Sequence, residues 1–178
     1  MSKNNKIEDS LNKIFSESGY KMVDVSKKEV THRKALAVGE IILNSNVIKM
    51  IKEKKMPKGD PLAIAEVSGI NGVKKTSELL PLCHPLSLDH ISIHTEIDEL
   101  KNLITVYCLV SANSKTGVEM EALSGVNSAL LAIYDLSKII EPNLKITNTR
   151  LLVKSGGKKG LWINPDGVPD KIKKVLKI

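Results

Sequence analysis

His90-Ile91-Ser92-Ile93-His94-Thr95-Glu96-Ile97 and Leu103-Ile104-Thr105-Val106-Tyr107-Cys108-Leu109-Val110 each read as alternating apolar and polar side chains, with Asp98–Asn102 between them. A period of two, repeated across a short polar break, predicts an antiparallel hairpin. On its N-terminal side, Val30–Glu40 puts Thr31, Arg33, Ala35, Ala37 and Gly39 on one parity, and a further strand is expected there. Ser26 and Glu29 also stand at capping-box spacing and would start a helix instead. The strand is the preferred reading.

Asn44–Lys55 reads as a short amphipathic helix with Val47, Ile48 and Ile51 inward. Asp60-Pro61 is an N-cap followed by proline in the first turn. Ala63, Val67, Ile70 and Val73 then follow at helical spacing, and the helix should end near Leu80-Pro81. Gly69 and Gly72 inside it cost stability relative to Ala. Either they let another backbone come close or they are incidental. Past the hairpin, Glu119–Ile140 is the longest predicted helix, with Met120, Leu123, Leu130 and Ile133 on its buried stripe and Pro142 as its stop. Lys145–Val153 reads as the last strand. The order β-α-α-β-β-α-β predicts an α+β fold. It is a two-layer sandwich of ferredoxin-like type, an antiparallel sheet with helices on one face.

The 178 residues fit one domain with a real core, and 42% apolar with 26% charged residues excludes global disorder. Residues 1–20 are polar and poorly periodic and are read as a mobile N-terminal arm. Residues 21–160 form the single expected domain, and 161–178 form a C-terminal tail with loop chemistry until about Asp170. No apolar run approaches the roughly 18 residues that span a bilayer. The N-terminus lacks an apolar h-region, so the expected location is the cytoplasm. Two cysteines, Cys83 and Cys108, make neither a disulfide framework nor a CxxC zinc site.

Lysine and arginine number 27 against 20 acidic residues, a net charge of +7. That suits an anionic partner. Only two of the basic residues are arginines, and aromatics are 3% of the chain. Base-edge reading and base stacking use those residue types, so the balance favours a phosphorylated small molecule over nucleic acid.

Four constellations could carry chemistry. Pro81-Leu82-Cys83-His84-Pro85 is a proline-framed loop. Its bland reading is a buried thiol and a hydrogen-bonded turn histidine. A metal reading would add His90 and His94, but the spacing matches no metal motif. Glu119 and Glu121 open the long helix beside Lys115, where the helix dipole alone accounts for one carboxylate. Together they could hold a polar ring through its NH groups. Asp135 and Lys138 are one turn apart, either a surface ion pair or a proton-transfer pair. Lys154-Ser155-Gly156-Gly157-Lys158-Lys159-Gly160 could wrap phosphates, although it lacks P-loop spacing, and a flexible basic tail looks much the same.

Met22-Val23-Asp24-Val25-Ser26, Lys58-Gly59-Asp60, Pro81 to Leu86, Thr116 to Leu123, Tyr134-Asp135 and Lys154 to Lys158 occur in this order. Together they resemble the MoaC family, the cyclic pyranopterin monophosphate synthases of molybdenum cofactor biosynthesis, from about Met22 to Gly160. The resemblance implies a ferredoxin-like lyase assembled as a homohexamer of three dimers. It would convert (8S)-3′,8-cyclo-7,8-dihydroguanosine 5′-triphosphate to cyclic pyranopterin monophosphate and pyrophosphate. By matching position, Asp135 falls on the catalytic acid and Lys138 on the essential lysine, with His84 and Lys58 in the catalytic set. Leu82, Cys83 and His84 fall on one substrate-contact segment, and Met120 and Glu121 on another. Glu119, Lys74 and Lys154 fall on pocket-lining residues. No redox cofactor or metal is demanded, and Mg²⁺ on the triphosphate stays open. The tail after Gly160 lies outside the resemblance. The rival reading is a basic ferredoxin-like module gripping RNA on its sheet. Tyr107 is the only aromatic that the predicted strands offer it.

One helix separates these residues. Glu121 and Asp135 are fourteen positions apart, about 21 Å along a straight helix. Either the helix begins after Glu121 and the Glu119–Glu121 segment folds back, or one subunit supplies the glutamate end of a site and another the Asp135 end.

Overall fold

The structure is a computed structural model and describes Lys13 and residues 19–177. The expected N-terminal arm, residues 1–20, therefore lies outside the described residues except for Lys13, Gly19 and Tyr20. The elements are β1 (Thr31–Ile42), α1 (Ser45–Lys52), α2 (Pro61–Lys74), α3 (Thr76–Leu79), β2 (His90–Asp98) and β3 (Leu103–Ser114). They continue with α4 (Glu119–Ser137), β4 (Lys145–Ser155), β5 (Trp162–Ile163) and α5 (Asp170–Leu176). All pairings are antiparallel, in the order β2-β3-β1-β4-β5. Strands β1 to β4 with α2 and α4 make the ferredoxin-like α+β sandwich that the alternation predicted.

The strand reading of Thr31–Ile42 holds because β1 is central, paired along its length with β3 on one side and β4 on the other. The alternative capping box does not form. Ser26 N instead donates to Asp24 Oδ1 at 2.8 Å, within a turn closed by Lys28 N to Val25 O. The hairpin is as expected, with β3 running on to Ser114, where it still pairs with Thr31. Helix α1 buries Val47, Ile48 and Ile51, and Asn44 Oδ1 caps it by accepting from Val47 N at 2.8 Å.

Helix α2 starts where predicted, with Asp60 Oδ1 accepting from Leu62 N and Ala63 N. Its buried stripe differs from the expected one. Val73 is buried, but Val67 is 66% exposed, Ala63 is exposed and Ile70 only half-buried. The inward residues are Ala65, Gly69, Gly72 and Val73. This stripe faces α4, and the two backbones approach closely. A Cβ on Gly72 would fall on Ser128 Oγ, 2.5 Å from Ser128 Cβ and 3.0 Å from Ser124 O. One on Gly125 would lie 2.6 Å from Cys108 Sγ and from Val73 Cγ2. The glycines are therefore the packing surface, and the larger apolar side chains turn outward. The helix also ends earlier than predicted, at Lys74. Thr76 Oγ1 donates to Gly72 O or Val73 O there, and the four-residue α3 follows.

Helix α4 spans Glu119–Ser137, three residues short of the expected end, with Lys138 as C-cap. Leu130 and Ile133 are buried as predicted, but Met120 is 41% exposed, because Glu121 and Ala122 take the inward positions of the first turn. Nor is the segment after Gly160 loop until Asp170. Trp162–Ile163 joins the sheet beside β4, and Val168 is buried with Val38, Tyr107 and Leu152 on the sheet face away from the helices.

Gly72→Ala should lower stability by about 1–3 kcal/mol through overpacking, although Ala is the better helix former by about 1 kcal/mol. The measurement is the denaturation midpoint at unchanged m-value. Adding Ser128→Ala should return only part of the loss, because Ser128 Cβ and Ser124 O stay in place. A Gly72→Ala protein as stable as wild type would mean that the seam has room.

Candidate active site

Three polar clusters sit at the two ends of α4. At its C-terminal end, Asp135 Oδ1 is 2.7 Å from Lys138 Nζ and Oδ2 is 3.1 Å from Lys58 Nζ. Lys58 arrives from a turn closed by Gly59 N donating to Met56 O, with Gly59 at φ +96° and Met56 buried. Asp60 in the same turn caps α2, so the helix start fixes the lysine's reach. The Lys138 ammonium, then Lys58, holds the Asp135 carboxyl below the usual carboxylate range. Asp135 in turn raises Lys138. All three side chains are about half exposed. In this arrangement both partners carry their charges at neutral pH, and Lys138 also suits the negative end of the helix dipole.

At the N-terminal end, Glu121 is only 5% exposed. Burial pushes its carboxyl upward, and nearby Glu119 adds to the rise, against a lowering backbone hydrogen bond. Glu121 lines a cavity of about 190 Å³ with Lys74, Ser77 and Leu86. Cys83 lies near enough for the Glu121 charge to raise its thiol, after burial as the larger cause. The thiol therefore stays protonated and is no ready nucleophile. His84 follows it in the chain, just past the turn that Cys83 N closes on Leu80 O, and is half-buried; Leu82 is 51% exposed.

The third cluster adjoins the second. Glu119 Oε1 is 2.8 Å from Lys154 Nζ. Both line a cavity of about 700 Å³, with eight cationic side chains and two carboxylates on its walls. The SGGKKG loop closes one side. Gly156 and Gly157 have φ of +101° and +71°, and a Cβ on Gly157 would strike the Arg33 guanidinium. Arg33 donates from Nε to Ser114 O at 3.4 Å. Thr31 Oγ1, in the same wall, is buried without a hydrogen-bond partner among the described residues. Eight cations against two carboxylates, beside a glycine-rich loop, give this cavity the charge to attract a polyphosphate.

Lys58, Asp135 and Lys138 thus come together, as do Cys83, Glu121 and Lys74, and Glu119 with Lys154. The two ends of α4 do not meet. The helix begins at Glu119 and runs unbroken, which removes the fold-back of residues 119–121. Sequence reasoning passed over Arg33, Thr31, Lys27, Lys28 and Lys34 as cavity residues. Arg33 is one of two arginines in the chain and shares its strand parity with Thr31, and that was the available signal. Among the described residues no three His, Cys, Asp or Glu side chains gather as a metal site.

Fold and clusters define a ferredoxin-like protein with an anion cradle and a separate acid–lysine triad. Comparison with known proteins narrows that class. The MoaC family model matches residues 22–157, and the chain belongs to the MoaC family. It is 40% identical over 158 residues to a cyclic pyranopterin monophosphate synthase of Heliobacterium modesticaldum, covering 89% of this chain and 99% of that one. The protein of that name from Chloroflexus aurantiacus is 43% identical over 145 residues, 82% of this chain and 89% of its own. A molybdenum cofactor biosynthesis bifunctional protein of Synechococcus elongatus is 44% identical over 149 residues, 84% of this chain and 47% of its own.

Because folding raises the Glu121 pKa above its ordinary value near 4.5, the protonated form suits the fold. The stability it contributes is complete below that value and is lost as pH rises through the folded pKa. Glu121→Gln should therefore raise the melting temperature at pH 7, by about 2–4 °C per kcal/mol gained, and match wild type near pH 4. A gain that persists unchanged at low pH would assign it to something other than the carboxylate charge.

Proposed function

We propose that this protein converts (8S)-3′,8-cyclo-7,8-dihydroguanosine 5′-triphosphate into cyclic pyranopterin monophosphate and pyrophosphate, an early step of molybdenum cofactor biosynthesis. The observation that carries the reading is the 40–43% identity to relatives called cyclic pyranopterin monophosphate synthase across 82–89% of the chain. Features of the structure support the reading. The basic cavity suits the triphosphate, and its lysines would neutralise charge building on departing pyrophosphate. Ring opening and re-closure need several proton transfers, for which Asp135, Lys138, Lys58 and His84 are the proposed donors and acceptors. Leu82, Cys83, Met120, Glu121, Glu119, Lys74 and Lys154 would contact or line the bound nucleotide. The reaction has no redox step. Mg²⁺ would act only by neutralising the triphosphate, and assays with and without it decide whether it is needed. The rival RNA-binding reading lacks support, because Tyr107, the only Phe, Tyr or Trp on β1–β4, is 8% exposed with Lys171 over its ring.

We further infer a shared site in a homohexamer of three dimers, in the cytoplasm. Among the described residues no helix is long and apolar enough to cross a membrane. Two features support sharing. The Asp135 triad is half exposed and about 21 Å of helix from Glu121. The helical layer also exposes Ile64, Val67 and Leu131, apolar cover that a second copy would supply. Closing the site in this way would desolvate Asp135 and Lys138, moving their pKa values toward each other.

Incubation with the cyclic nucleotide, followed by detection of pyrophosphate and the pterin, tests the reaction. Asp135→Asn should fold normally and lose turnover about 10²–10⁴-fold, the usual contribution of a general acid–base group. Near-wild-type turnover would return Asp135 to a surface ion pair.

Mixing inactive Glu121→Ala and Asp135→Asn subunits after dissociation tests the sharing. Random re-pairing makes half the dimers mixed with one intact site in each, so about a quarter of wild-type turnover is expected. No recovery from confirmed mixed oligomers would place every site within one chain.

A further inference from the structure

The segment after Gly160 lies beyond the family match at residues 22–157 and enters none of the chemistry above, yet it follows directly on the glycine-rich wall of the cavity and pairs with Lys154 of that wall. Strands β4 and β5 form a hairpin whose connection is the glycine-rich loop, with Lys154 paired to Trp162 and Val153 to Ile163. Asn164 closes this hairpin, donating from N to Leu152 O and from Nδ2 to Leu151 O, each at 2.8 Å. Further along, Val168 and Ile172 pack with Val38 and Tyr107 on the outer sheet face. Lys171 pairs with Glu96 and sits 3.9 Å over the Tyr107 ring. The indole of Trp162 is therefore carried on an anchored frame. Directly paired residues of antiparallel strands share a sheet face. Lys154 Nζ lies 6.0 Å from the Trp162 ring centroid, at the outer reach of a cation–π contact, and 2.8 Å from Glu119 Oε1. The ammonium is held between a carboxylate and an aromatic face at the cavity wall.

We propose that Trp162 is a positioning residue, holding the Lys154 ammonium in place so that an incoming polyphosphate meets a preset cation. The inference rests on the proposed use of the basic cavity for the triphosphate. A lysine has more rotamer freedom to lose than almost any side chain. Freedom removed before binding does not weaken binding. Glu119 alone would draw the amine into an ion pair that the anion must break. The ring attracts the cation without neutralising it and keeps it available.

The test uses the full chain and inorganic tripolyphosphate, with binding measured by calorimetry. Trp162→Ala should weaken binding roughly two- to five-fold, whereas Trp162→Phe, which keeps an aromatic face, should stay near wild type. In a Lys154→Ala background, Trp162→Ala should change nothing further. Trp162 is the only tryptophan, so wild-type emission should change saturably with tripolyphosphate and Lys154→Ala should lose that change. In turnover, Trp162→Ala should lower kcat/KM by the same two- to five-fold. An unchanged affinity in Trp162→Ala, or a loss that persists in the Lys154→Ala background, overturns the proposal. So does a wild-type chain that turns over the cyclic nucleotide without binding tripolyphosphate. A chain that shows the expected coupling and no turnover sustains this inference and removes the proposed reaction.

Discussion

The seam between α2 and α4 sets two of the three clusters at the candidate site, the Asp135 triad and the Glu121 pocket. Gly69, Gly72 and Gly125 carry no Cβ, so two antiparallel helices lie backbone against backbone, with Ser124 and Ser128 filling what little space remains. That contact fixes axial register as well as distance. The N-terminal end of α2 is brought beside the C-terminal end of α4, which puts Lys58 on Asp135. The opposite ends put Lys74 and Cys83 beside Glu121. A slip of one turn, about 5.4 Å, would separate both pairs together. The helix-propensity cost of the glycines, roughly 1 kcal/mol each, is borne for this register.

The same helix holds two carboxylates in opposed environments. Asp135 sits half exposed between two ammonium groups, which keep it ionised. Glu121 is buried near another carboxylate, which favours its protonated form. Environments that push two acids apart are how a site separates roles. Here an ionised acid with a protonated lysine stands at one end of α4. An acid biased toward neutrality stands at the other, next to a cradle rich in positive charge. The second fits hydrogen bonding to a neutral ring edge, and the first fits proton exchange once water is excluded.

Strands were legible because period two survives from sequence to sheet. Thr31–Ile42 and the His90–Val110 hairpin needed no information beyond their own residues. Helix faces were less so. Reading Val67 and Met120 as buried assumed that large apolar residues face inward, which fails when glycines form the packing stripe and when a glutamate takes an inward first-turn position. The short β5 was invisible, because two residues carry no period. Its anchors, Val168 and Ile172, stand singly, one between Gly167 and Pro169 and the other between Lys171 and Lys173. Asp135 with Lys138 was legible from i,i+3 spacing, but Lys58 reaches them through tertiary register, and only the family resemblance pointed to it. Arg33 and Thr31 belong to a cavity assembled from three separate stretches of chain, which no local pattern announces.

The coverage of the sheet narrows how a shared site could be built. One face carries α2 and α4. The other is partly covered by Val168 and Ile172 of the tail, which with the Ile163 side chain pack on Val38, Tyr107 and Leu152. The exposed apolar side chains Ile64, Val67 and Leu131 belong to the helical layer, as do both ends of α4. A second copy that completes the site must reach an Asp135 triad or a Glu121 pocket, and both lie at the ends of that layer. If two copies meet there about a two-fold axis, an antiparallel approach of their α4 helices sets the Asp135 end of one beside the Glu121 end of the other. The distance that keeps these groups apart in one chain then becomes the spacing between two equivalent sites, and the length of α4 is what sets it.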